Sequence, residues 1–320
     1  MGVVLNKKGV VFTLIALLIS IFLFLLYASE YTPKEDSLLP VIENRIRILD
    51  RFNENFVQYS LEAMDVSSFK AMNGMSMYAE SNGFFADFAA SFSECLQNGT
   101  LNNGIDLCPD MENNTLPYWL NQITNMSRER LGINISYNVS GLQVKQPLPF
   151  DVEVSLSMHY EVEDIFARIN RTIVLKRLVN VNGLSDPLYA VAGTYTNPIL
   201  ATPIRDDQWN NDTLYFMIYN RTYRHHTDAP SLINRFEGVL MNSSCCGIES
   251  MVHPGESIGE YENKSFVDYW FWNSTEFCGG IPPEAVYKVS YAAYDPKFRL
   301  DAQHLAAYNI SSDKWISACS

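Results

Sequence analysis

Eighteen consecutive residues, Val10 to Tyr27, carry no charge and are apolar apart from Thr13 and Ser20. As a helix this stretch reaches about 27 Å at about 1.5 Å per residue. That length just spans the roughly 30 Å hydrocarbon core of a bilayer. No second stretch of comparable apolarity exists to bury it inside a soluble core. The chain therefore reads as a single membrane span. Lys7 and Lys8 precede the span, while Glu30, Glu35 and Asp36 follow it with Lys34 as the one nearby cation. Basic residues are retained on the cytoplasmic side, so the N-terminus is expected in the cytoplasm and the bulk of the chain outside the cell.

A removable secretory signal is the rival reading of the same stretch. Its apolar region runs about 7–15 residues and ends in small residues at the cleavage site. Here the apolar region is longer, and Leu26-Tyr27-Ala28-Ser29 is a poor cleavage site. Lys8-Gly9 followed by Val10-Val11-Phe12-Thr13-Leu14 resembles instead the class III signal peptide of archaeal type IV pilin-like surface proteins. The resemblance covers about the first 27 residues. It implies cleavage between Gly9 and Val10 on the cytoplasmic side, with Lys8 before the cut and the apolar helix kept on the product. It also implies that such helices can pack with like subunits. Bacterial-type pilins carry Glu at the fifth mature position, where this chain has Leu14, a departure that touches filament assembly more than processing.

The net charge is −13, and Lys7 and Lys8 are the only charges before Glu30, so the outer part carries −15. An acidic exterior argues against nucleic acid as a partner. The pattern Asn-x-Ser/Thr occurs twelve times, at Asn98, Asn113, Asn125, Asn134, Asn138, Asn170, Asn211, Asn220, Asn242, Asn263, Asn273 and Asn309. Random placement of the 27 Asn and 41 Ser plus Thr residues gives roughly three or four such sites. The excess implies N-glycans, and so positions on loops and solvent-facing strand edges. Six cysteines outside the span, Cys95, Cys108, Cys245, Cys246, Cys278 and Cys319, suggest disulfides. Cys95 with Cys108 is the natural local pair. Adjacent Cys245 and Cys246 are expected to reach separate partners, Cys278 and Cys319, because ordinary disulfide geometry does not suit neighbours. No C-x₂-C pair points to zinc.

Beyond the span, Thr32-Pro33-Lys34-Glu35 reads as a helix start, and a restart capped by Ser37 leaves Pro40 in a first turn. Ile42, Ile46, Leu49, Phe52, Phe56 and Tyr59 then recur at helical spacing, which predicts an amphipathic helix of some 25–30 residues. It can pack on its own domain or form a stalk against sister subunits. Met72, Met75, Met77, Phe84, Phe85, Phe88 and Phe92 read as core, with Asn73-Gly74 and Asn82-Gly83 dividing the stretch into short helices. Residues 98–114 form an Asn- and Gly-rich loop, followed by a short helix from Thr115 to Leu131 with Trp119 and Leu120 on its apolar side. From Val152 to Tyr160 the pattern alternates, as in a half-buried strand. Further strands are expected at Ile169–Val181, Leu214–Tyr219, Phe266–Trp272 and Val286–Tyr291, with a turn over Gly183–Pro187.

The fold class expected is α+β. It comprises a leader and transmembrane helix (1–29), a helical stalk or packing segment (30–94), an Asn-rich loop with a short helix (95–132) and a β-rich, antiparallel, disulfide-bonded extracellular domain (133–320). Gly183-Leu184-Ser185-Asp186-Pro187-Leu188, Arg235-Phe236-Glu237-Gly238 and Gly247-Ile248-Glu249-Ser250 resemble stretches of uncharacterised archaeal surface proteins with the same kind of leader. That resemblance implies location and architecture, and no reaction.

Chemistry is sparse. Among the five histidines, Arg224-His225-His226-Thr227-Asp228 is the best metal candidate, yet adjacent histidines on a strand point apart. It reads as an exposed polar loop, His159 as a solvent-facing strand residue and His253-Pro254-Gly255 as a turn. No Gly-x-Ser-x-Gly elbow, His-Glu-x-x-His pair or phosphate-cradling loop occurs. Glu161, Glu163, Asp164, Asp206 and Asp207 do not form a calcium loop. No catalytic residue, metal site or cofactor is assigned, and the chain is not read as an enzyme. The expectation is a membrane-anchored, glycosylated cell-surface protein with a structural or adhesive role. Its partners are the bilayer, N-glycans and like subunits. A membrane-tethered glycan- or ligand-binding module, or an envelope hydrolase, is the alternative.

Overall fold

The apolar stripe that follows Val10–Tyr27 in the sequence becomes one 44-residue helix, α1 (Leu39–Asn82), in a computed structural model that describes residues 39–195, 197–240, 245–256, 263–273, 285–290 and 297–318. Pro40 stands at its second described position, where a missing N–H costs nothing. Leu49 and Phe56 are buried and Phe52 and Tyr59 pack half-buried against the core, whereas Ile46, on the same stripe by spacing, is exposed because it lies ahead of the part of the helix the core covers. The stripe continues through Met64, Ala71, Met72, Met75 and Ala79, all buried, whereas Met77 and Phe84 are exposed. The helix outruns the expected length because Asn73-Gly74 does not break it. A Cβ at Gly74 would lie 2.0 Å from the Pro109 carbonyl oxygen and 3.2 Å from Cys108 Sγ. Glycine is there to let the disulfide loop press on the helix, at a cost of about 1 kcal/mol in helix propensity. The second Asn-Gly does end it: Gly83 has φ +84 and its N–H donates to the Ala79 carbonyl at 2.8 Å.

Helix α2 (Phe88–Asn98) is capped by Asp87, which accepts from the Ala90 N–H. Its Phe88 and Phe92 are fully buried. A two-residue hairpin, β1 (Thr100–Leu101) with β2 (Asp106–Leu107), fills the Asn-rich loop, and the Cys95–Cys108 disulfide closes it as expected. Helix α3 (Leu116–Leu131) starts at a Thr115 cap and buries Leu120, with Trp119 half-buried. An antiparallel meander follows: β3 (Asn134–Leu148), β4 (Asp151–Glu163) and β5 (Arg168–Asn180), with β4 in the middle. Val152, Val154, Leu156, Met158 and Tyr160 are buried, and His159 on the opposite face is exposed, as their alternation implies. Helix α1 lies on the buried face: the Phe56 ring is 5.4 Å from that of Tyr160, whose hydroxyl donates to Asn53 Oδ1 at 2.8 Å.

After Val181 the expected β-rich architecture gives way to short helices. These are α4 (Pro187–Ala192), α5 (Asn211–Asn220), α6 (Leu232–Glu237), α7 (Asp268–Trp272) and α8 (Ala302–Ala307). Among the described residues small antiparallel strand pairs join them. Strand β6 (Arg224–His225) pairs with β7 (Ile248–Glu249). Strand β8 (Val286–Val289) lies between β9 (Arg299–Asp301) and β10 (Trp315–Ser317). Leu214–Tyr219 is helical rather than extended. Asn210 caps it by accepting from the Asp212 and Thr213 N–H groups, and Leu214, Met217 and Ile218 face the core at helical spacing. Phe266–Trp272 is likewise mostly helix. Its Tyr269, Trp270 and Phe271 are all buried, so the run has no solvent face to give it a period. Val286–Tyr291 is a strand over Val286–Val289.

A continuous set of buried side chains runs from Leu49 on α1 through the meander to Ile310. Among the described residues no helix is long and apolar enough to cross a membrane. Val10–Tyr27, the proposed leader residues Lys8, Gly9 and Val10, and the Ser37 cap lie outside them.

Candidate functional site

The sequon asparagines fall on the surface. Asn98, Asn113, Asn125, Asn134, Asn138, Asn170, Asn220 and Asn309 are exposed, and Asn211, Asn263 and Asn273 are half-buried. Asn242 lies outside the described residues. The cysteines need one correction. Cys245 and Cys246 are joined to each other across the turn they occupy, not to two separate partners. The pair lies in a turn, where neighbouring side chains that would diverge on a strand can meet. Their expected partners Cys278 and Cys319 lie outside the described residues.

Two buried charged clusters hold the segments after Val181 together, and the three stretches singled out in the sequence meet there. The first is built on Arg235, wholly buried on α6. Its Nη1 lies 2.8 Å from Asp186 Oδ2 and its Nη2 2.8 Å from Asp268 Oδ2. Nη2 also donates to the Ile248 carbonyl. Asp186 reaches this position because it caps α4, accepting from the Leu188 N–H at 2.9 Å. It accepts from the Tyr223 hydroxyl as well. Asp268 opens α7 and accepts from the Ser250 N–H and hydroxyl at 3.0 and 2.8 Å. One guanidinium thus serves two carboxylates. Burial pushes Asp268 up to about 6 against the pull of Arg235, with the Asp186 carboxylate adding to the rise.

The second cluster lies on the other side of β7. Glu249 and His304 are fully buried, and His304 sits between two carboxylates. Its Nδ1 is 2.8 Å from both oxygens of Asp301, and its Nε2 is 3.2 Å from Glu249 Oε2. Asp301 is placed by its role as cap of α8, accepting from the His304 N–H at 3.0 Å. Glu249 Oε1 accepts from the Tyr308 hydroxyl at 2.7 Å and faces Arg224 Nε at 3.5 Å. The Arg224 guanidinium lies over the Trp209 and Tyr308 rings, 5.0 and 4.6 Å from their centroids. His226 completes the group with Nδ1 3.5 Å from Glu249 Oε2 and no hydrogen-bond partner for that buried atom. Burial alone would lower the His304 imidazole, but Glu249 and Asp301 outweigh it and raise it to about 10. Burial would raise Glu249, yet His304, His226 and Arg224 hold it down at about 2. Burial lowers His226, favouring its neutral form.

The sequence reads Arg224–Asp228 as an exposed polar loop, but Arg224 is buried and with His225 forms strand β6; adjacent His225 and His226 are expected to point apart. They do point apart: His225 is exposed beside the Cys245 carbonyl, and His226 turns inward to Glu249. Asp301 and His304 were missed. The signal available was Asp301-Ala302-Gln303-His304, an acid at a helix cap followed three residues later by a histidine. His253 lies in a turn, its Nδ1 accepting from the Gly255 N–H, in agreement with its reading. No protein-family model, curated protein or solved structure matches this chain.

Proposed function

We propose that the chain is an outward-facing cell-surface glycoprotein, anchored by Val10–Tyr27, with a structural or adhesive role of the type IV pilin-like kind. The observation that carries this reading is the placement of the sequons: none of those described is buried. Asn134, Asn138 and Asn170 share the face of the meander that points away from α1, in register with Glu163, His159 and Glu161. Glycans on that face meet no packed neighbour, which is what attachment requires. The start of α1 adds support. Val41, Ile46 and Ile48 are 51, 48 and 37% exposed. Exposed apolar side chains at the helix end nearest Val10–Tyr27 in the sequence suit packing with sister helices or lipid.

An exposed platform formed by the rings of Tyr269-Trp270-Phe271-Trp272 would favour a glycan-binding module. Tyr269, Trp270 and Phe271 are packed into the core, so the run supports no such role. The test is mass spectrometry of the native protein extracted from membranes. An N-terminus at Val10 and sugar on several of the twelve sequons is the expected result. An N-terminus near Glu30 would remove the anchor, and bare asparagines throughout would remove the exterior assignment.

A further inference from the structure

We propose that His226, Glu249 and His304 form a binding site for a divalent transition-metal ion, with zinc as its best-fitting occupant. The inference goes beyond the surface role and does not depend on it. His226 Nδ1, Glu249 Oε2 and His304 Nε2 converge so that all three atoms lie within 4.8 Å of one another. Glu249 Oε2 is 3.5 Å from the first imidazole nitrogen and 3.2 Å from the second. Ligand atoms around tetrahedral zinc, at about 2.0–2.1 Å from the ion, are separated by about 3.3 Å. These two edges bracket that value, and the third is no longer than 4.8 Å. Two imidazoles and one carboxylate are also a donor set that favours borderline ions over calcium or magnesium.

What lies behind the three atoms fits a metal as well. Asp301 holds His304 Nδ1 with both oxygens, which orients the ring and leaves Nε2 facing Glu249. A carboxylate behind a ligating histidine is the usual way such a ring is fixed. Arg224 is held over two aromatic rings and turned to Oε1 of Glu249, leaving Oε2 to the histidines. His226 Nδ1 is a buried ring nitrogen that makes no hydrogen bond, a cost that an ion would remove. Uptake displaces one proton, from Nε2 of His304 to solvent. The Tyr269 hydroxyl lies 3.4 Å from that nitrogen. Glu249 and His304 are fully buried and the His226 side chain is 12% exposed, so the ion enters past His226. Once bound it ties together the strand of Glu249, the turn after β6 and helix α8, which makes the site a structural lock.

The test uses untagged, full-length protein in detergent, stripped of metal and titrated with Zn²⁺ against a chromogenic chelator. One zinc per chain is expected. His226→Ala, which removes no hydrogen bond of Nδ1, should keep the wild-type circular dichroism and weaken zinc at least tenfold. Asp301→Asn, acting through His304, should weaken zinc by about 10–100-fold. If His226→Ala does not fold, Co²⁺ in the wild type gives the independent readout: tetrahedral visible bands at one equivalent are expected. A wild-type chain that takes up neither ion, or a folded His226→Ala that binds zinc as tightly as the wild type, would overturn the proposal.

Discussion

In the meander, strand β4 turns Val152, Val154, Leu156, Met158, Tyr160 and Val162 to the core, and α1 covers them with a stripe of its own. Beyond Val181, the buried groups that bridge separate segments are Asp186, Arg235, Glu249, Asp268, Asp301 and His304. The first region is stabilised by many similar contacts between two long periodic elements. Removing one leaves the rest in place. In the second, elements of five to ten residues are too short to be stable alone, and single charges join three or four of them at once. A buried ion pair contributes little net stability against an apolar alternative, but losing one partner strands the other. The two regions should therefore fail differently when a single residue is changed.

The largest effect is expected for Arg235→Met. It leaves Asp186 and Asp268 without their cation inside the core and should cost about 5 kcal/mol, the top of the range for breaking a buried pair. Urea denaturation measures it. Leu156→Ala in the meander should cost about 2–5 kcal/mol as a local cavity, without loosening the segments after Val181. Asp268→Asn sharpens the comparison through pH. The Asp268 carboxyl is raised from 3.8 to about 6 in the fold. An acid raised in this way favours the folded state fully below its unfolded value and loses that contribution as the pH climbs through 6. Between pH 4 and 7 the wild type should thus lose on the order of 2–3 kcal/mol relative to Asp268→Asn. Parallel denaturation curves at the two pH values would contradict this. The smallest effect is Gly74→Ala, where the new methyl meets the Pro109 carbonyl and should cost about 1–3 kcal/mol. Exchange of the residue 100–108 hairpin amides would report the loosened loop.

The legible parts of the fold were those with a period. The stripe on α1, the alternation in β4, the Thr115 start of α3 and the Cys95–Cys108 loop all follow from spacing within a few residues. Gly74 misled because an Asn-Gly pair signals a turn only when nothing presses on the glycine. Leu214–Tyr219 and Phe266–Trp272 misled because short runs that are apolar, or apolar but for the one buried Asp268, have no period that distinguishes a helix from a strand. The charged clusters were not legible as clusters, since Asp186, Arg235 and Asp268 are separated by dozens of residues and each also has an ordinary local reading. Asp186 looked like part of a turn, and it is one; its second role depends on Arg235 arriving from elsewhere. Likewise His226 was visible as a candidate, while its partners Glu249 and His304 were not connected to it by any spacing.

Amide hydrogen exchange of full-length wild type and Arg235→Met, followed residue by residue, tests the division most directly. The Leu188, Ser250 and Tyr269 amides, which donate to Asp186 or Asp268, should lose protection in the variant. The amides of the β3–β4–β5 ladder should keep theirs. Equal loss in the ladder, or unchanged protection at all three amides, would contradict the claim that the segments after Val181 are held by their buried charges.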